Sequence, residues 1–75
     1  MIIFMSYDNA LAASKQVVGL LRTEGYKIEY LKVEIVKNKN GFFIEASSEM
    51  DPLMAGRFRH LLKEYTKTYR KYISI

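Results

Sequence analysis

The stretch Leu31 to Ser47, LKVEIVKNKNGFFIEAS, decides the fold. Leu31, Val33 and Ile35 alternate with Lys32, Glu34 and Val36, the period-two pattern of a strand with one buried face. Asn40-Gly41 is a strong hairpin signal, because a type I′ turn needs positive φ at both central residues and these two tolerate it best. With that dipeptide as the turn, Lys39 faces Phe42, Lys37 faces Ile44 and Ile35 faces Ala46. Leu31, Val33, Ile35, Phe42, Ile44 and Ala46 then share an apolar face. The opposite face holds Lys32, Glu34, Glu45 and Ser47, with an apolar spot at Val36 and Phe43 that suits contact with a partner.

Upstream, Tyr26, Ile28 and Tyr30 alternate in the opposite phase, so the chain enters this strand through a bulge or an irregular turn near Tyr30. Before that, Ser6 or Asp8 is placed to cap a helix whose Ala10, Ala13, Val17, Leu20 and Leu21 fall on one face, with Leu11 and Val18 beside them; Gly25 ends it. The run Met1 to Met5 is apolar but too short for a membrane span or signal peptide, and reads as a strand. Downstream, Asp51-Pro52 supplies an N-cap and a first-turn proline for a helix expected to reach about Tyr72. Met54, Phe58, Leu61, Leu62, Tyr65, Tyr69 and Tyr72 line one side of it, and Arg59, His60, Lys63, Lys67, Arg70 and Lys71 the other.

The order is therefore β-α-β-β-α in one domain over residues 1–75. The predicted fold is α+β, a three-stranded, largely antiparallel sheet with two helices packed on one face. Uncovered strand edges make a dimer the expectation, with an identical or a related chain. A chain of 75 residues builds only a thin core. It has no cysteine, which excludes a disulfide framework and fits a reducing, cytoplasmic setting without membrane attachment.

Charge is distributed unevenly. Residues 1–56 hold six Lys/Arg against seven Asp/Glu, whereas residues 57–75 hold six against one. Nearly all the excess positive charge lies on the last segment, as in an anion-binding surface. Arg59, Lys63, Lys67, Arg70 and Lys71 are the candidate RNA-binding residues, since lysine and arginine neutralise phosphates and the tyrosines at 65, 69 and 72 carry rings able to stack on unpaired bases. Those tyrosines are equally suited to core or interface positions. Phe43, Met54, Phe58, Leu62 and Tyr65 are the candidate interface residues.

Catalytic chemistry finds little purchase. A nucleophilic mechanism needs a Ser, Cys or Lys beside a base, and the single His60 sits within a basic helix face. His60 and Glu64 have the spacing of two metal ligands but nothing suggests a third, so an exposed polar pair is expected, with no metal and no cofactor. Glu45, Glu49 and Asp51 read as a solvated loop and a helix cap rather than an acid/base pair. The four glycines are scattered, and none forms a phosphate loop. The chain is expected not to be an enzyme.

The element order, the hairpin, the Ile44-Glu45-Ala46 strand end and the Leu53 to Leu61 helix opening resemble the small Pcc-type subunit of the KEOPS complex. In that family a strand ending Ile-x-Ala leads into a helix that opens with Leu-Arg and continues with Asn and a further Leu-Arg. Leu53, Ala55 and Leu61 suit the pattern; Met54, Phe58 and Leu62 stand where its Arg, Asn and second Arg would be, as in a divergent paralogue. The resemblance implies a non-catalytic dimerisation subunit of archaeal type. Its partners would be the catalytic threonylcarbamoyl-transferase subunit and the tRNA modified to threonylcarbamoyladenosine. A free-standing nucleic-acid-binding dimer, and a protein-interaction module facing an acidic partner, are the other readings of the same residues.

Overall fold

The computed structural model describes residues 2–68 and the backbone of Ile73 and Ser74. The elements are β1 (Ile3–Phe4), α1 (Tyr7–Thr23), a 3-10 turn (Ile28–Tyr30), β2 (Lys32–Asn38), β3 (Gly41–Ser47), α2 (Pro52–Thr68) and β4 (Ile73–Ser74). The α+β architecture and the β-α-β-β-α order stand, and the short β4 extends the sheet to four strands in the order β2-β3-β1-β4. All three pairings are antiparallel. Because β3 lies between β1 and β2, and β1 between β3 and β4, each helix makes a split β-α-β crossover, the plan of ferredoxin-like domains.

The helices start and stop where local chemistry satisfies their end groups. The Ser6 hydroxyl accepts from the Asn9 amide at 3.1 Å, and Asp51 Oδ1 accepts from the Met54 amide at 3.1 Å just ahead of Pro52. Gly25 has φ +93°, and the amides of Gly25 and Tyr26 close back on the carbonyls of Arg22 and Leu21 at 3.0 and 3.1 Å. This Schellman-type ending satisfies two carbonyls and turns Tyr26 onto the core. The irregular entry expected near Tyr30 is the 3-10 turn, so Tyr26, Ile28 and Tyr30 precede the strand, which begins only at Lys32.

The hairpin register differs from the expected one by two residues. Asn38 pairs with Gly41, Ile35 with Ile44 and Val33 with Ala46, so the two-residue turn is Lys39-Asn40. Asn38 Oδ1 accepts from the amides of Asn40 and Gly41 at 2.8 and 3.1 Å, and among the described residues positive φ occurs only at glycine. A side-chain-closed turn has replaced the type I′ turn. Since side chains alternate with period two, the slip leaves the same residues on the same face.

That face meets both helices. Phe4, Ala10, Ala13, Val17, Leu21, Met54, Phe58 and Leu62 form the buried core, with Leu31, Val33, Ile35, Phe42, Ile44 and Ala46 packed on it. Met54, Phe58 and Leu62, expected at an interface, are enclosed in the chain's own core and offer no surface to a second chain. An Arg or Asn at any of them would be buried without a partner.

Across the top of α2, Arg57 reaches the end of α1, where its Nε and Nη2 donate to the Glu24 carboxylate at 2.9 and 2.7 Å. That paired hydrogen bond, with the adjacent guanidinium charge, holds the Glu24 carboxyl below its ordinary value of 4.5. A lowered folded-state pKa adds stability above the ordinary carboxylate range and loses it as pH falls through and below 4.5. Glu24→Gln is therefore expected to melt below the wild type at neutral pH and to match it in acid well under pH 4.5. Thermal unfolding of both forms at the two pH values checks this.

Candidate nucleic-acid interface

Helix α2 is divided lengthwise. Its Met54, Ala55, Phe58, Leu62 and Thr66 are buried, which turns Arg59, Lys63 and Lys67 outward at four-residue spacing on one exposed stripe. Each cation is held differently. Arg59 Nη1 donates to the Ala46 carbonyl oxygen at 3.2 Å, which holds the exposed guanidinium beside β3. Lys63 has no ion pair among the described residues. Lys67 Nζ lies 3.1 Å from Glu64, and the hydrogen bond from Lys67 keeps the Glu64 carboxyl below 4.5. This exposed i,i+3 pair is weak and screened, so a phosphate can displace the carboxylate. Arg70, Lys71, Tyr69 and Tyr72 lie outside the described residues, as does the expected extension of the helix to Tyr72.

Beside the stripe is a cleft of about 510 Å³ lined by Ile2, Phe43, Ile44, Glu45, Ala46, Arg59, Leu62 and Lys63. It lies along β3 beyond the pairing of Phe42 with Phe4. Phe43 is half-buried there, on the sheet face away from the helices. The register places it between Val36 on β2 and Ile3 on β1, making a short apolar row across that face. Tyr65, the remaining candidate interface residue, is half-buried and packs against the core.

Comparison with protein families, with characterised proteins and with solved structures finds no match to this chain.

The sequence reading brought Arg59, Lys63 and Lys67 together correctly as one stripe, but it missed the cleft next to them. Ile2 and Glu45 join it only through tertiary pairing. It also left out Arg57, whose charge is taken up by Glu24. A second groove runs between α1 and the open edge of β2, lined by Tyr7, Leu11, Val18, Val33 and Ile35 with Lys15 and Arg22 among them. Neither cation has an ion pair among the described residues. No described helix is long and apolar enough to cross a membrane.

Proposed function

We propose that this chain is a non-catalytic binding subunit that holds RNA by its phosphate backbone along α2. The observation that carries the reading is the exposed stripe Arg59, Lys63 and Lys67 on a helix whose other side is consumed by the core. A fixed guanidinium and two lysines at successive turns match the spacing of a polyanion better than that of a single small ligand. The setting we infer is the one the family resemblance implies: an accessory subunit of a KEOPS-like complex, joined to the catalytic threonylcarbamoyl-transferase subunit and supporting tRNA threonylcarbamoyladenosine synthesis. With Met54, Phe58 and Leu62 enclosed, contacts with other chains in that setting fall to Phe43 and to the seven-residue open edge of β2.

Lys63→Ala/Lys67→Ala is expected to weaken binding of a labelled tRNA and to reduce the slope of log affinity against log salt by about 1.4 to 1.8, two phosphate contacts' worth. Fluorescence anisotropy across about 50 to 200 mM salt measures both. An unchanged slope would remove the RNA reading. The α1–β2 groove favours a second reading, a module that takes an acidic protein segment on Lys15 and Arg22; it expects no RNA shift at physiological salt.

A further inference from the structure

The groove between α1 and β2 brings an open strand edge together with two uncompensated cations. We infer that it takes up an extended, acidic segment of another protein, which pairs with β2 as an added strand and turns its carboxylates toward Lys15 and Arg22. This rests on the groove reading above and adds the form of the segment. It shares no residue with the α2 stripe, so either can stand without the other.

The backbone argues for an extended chain. β2 ends the sheet and pairs, among the described residues, with β3 alone. In an antiparallel pair alternate residues turn their N–H and C=O groups toward the neighbour and the others turn theirs away, so β2 offers a row of both along its open side. An extended peptide satisfies that row whatever its sequence, whereas a helix, whose own backbone groups are paired, does not. The side chains argue for acidity. Val33 and Ile35 lie on the helix side of the sheet, packed on the core as Val18 of α1 is. On α1, Leu11, Lys15, Val18 and Arg22 follow at spacings of four, three and four, a single stripe of the helix surface, and these residues line one groove of about 440 Å³ with Val33 and Ile35. Lys15 and Arg22 are exposed, neither has an ion pair among the described residues, and no described carboxylate lines the groove. Lys32 and Glu34, on the other face of β2, already neutralise each other at 3.1 Å. Residues of an added strand stand opposite those of β2 with their side chains on matching faces, so every second one falls on the α1 side beside Val33 and Ile35. Those positions suit apolar residues against Val18 and Asp or Glu within reach of Lys15 and Arg22.

The test uses a fluorescein-labelled peptide, Thr-Asp-Thr-Val-Thr-Val-Thr-Asp-Thr, and fluorescence anisotropy on the full chain. The peptide is expected to bind, and its counterpart with Lys in both Asp positions is not. Lys15→Ala/Arg22→Ala should weaken binding about tenfold, the scale of two exposed ion pairs, with thermal unfolding showing the fold intact. Amide hydrogen exchange reads the mode, since strand pairing slows exchange at alternate residues of β2. Binding that depends on Lys15 and Arg22 while the β2 amides exchange as before would overturn strand addition and leave the groove reading standing. No binding at millimolar peptide, or equal binding of the lysine version, would overturn both. β2 amides protected in the free chain and released on dilution would give the edge to a second copy and overturn the proposal. Protection of β2 by single-stranded RNA in place of the peptide would give it to nucleic acid, with the same consequence.

Discussion

Phe58→Ala is expected to destabilise the fold by about 3–5 kcal/mol. Phe58 is wholly buried at 0% exposure, on the side of α2 that faces the core, in a cluster of eight buried residues among those described. Removing the ring costs its transfer free energy and leaves a cavity that so small a core fills poorly. A domain of this length has roughly 4–11 kcal/mol in total, so the loss consumes a large part of it. Leu53→Ala on the same helix is the control: Leu53 is 80% exposed, and its truncation should stay within about 0.5 kcal/mol. Urea unfolding of both variants gives the comparison. If Phe58 instead served an interface with a second chain, the isolated protein would tolerate its loss as it does that of Leu53.

The second large effect is expected at Gly41. Its φ is +143°, and a Cβ there would lie 2.5 Å from the Phe4 carbonyl oxygen and 2.8 Å from Ile3 Cγ2. Gly41→Ala therefore combines backbone strain of about 1–3 kcal/mol with a clash against main chain that cannot yield. The expected result is separation of β1 from β3, seen as lost amide-exchange protection around Phe4 and Phe42 and a drop in melting temperature. Asn40→Ala should be mild by comparison, since Asn40 has negative φ, and Asn38→Ala intermediate, since it removes two side-chain hydrogen bonds that close the turn. If Asn40→Ala proved as harmful as Gly41→Ala, the turn would be centred one residue later than described.

These two sites also show what the sequence could and could not reveal. The apolar period of Leu31 to Ile35 and of Phe42 to Ala46 is local, so the strands and their common face were legible. The register was not, because Gly41 looked like a turn glycine. It is a glycine because β1 passes against it, a contact made by residues nearly forty positions away in the chain. The same limit applies to α2. Periodicity identified the side carrying Met54, Phe58 and Leu62 but could not say whether this chain or another covers it. The caps at Ser6, Asp51 and Gly25 were readable because each depends on neighbours within a few residues. β4, a two-residue strand, carries too little pattern to be seen before β1 is in place.

For the candidate site, the spacing of Arg59, Lys63 and Lys67 was enough to place three cations on one stripe, since helical geometry fixes it. The cleft lacked any such signal. Its residues Ile2, Ile44 and Lys63 come together only in the folded chain. The charge balance of residues 57–75 overstated the free cations, because Arg57 is bound to Glu24 and Lys67 to Glu64.

The central claim is that RNA lies along α2. The measurement that tests it most directly is a backbone amide NMR titration of the intact chain with a short single-stranded RNA. The account predicts shifts concentrated at Arg59, Lys63 and Lys67, with β2 and the α1 residues Lys15 and Arg22 unmoved. Shifts confined to the α1–β2 groove, or none at millimolar RNA, would contradict it.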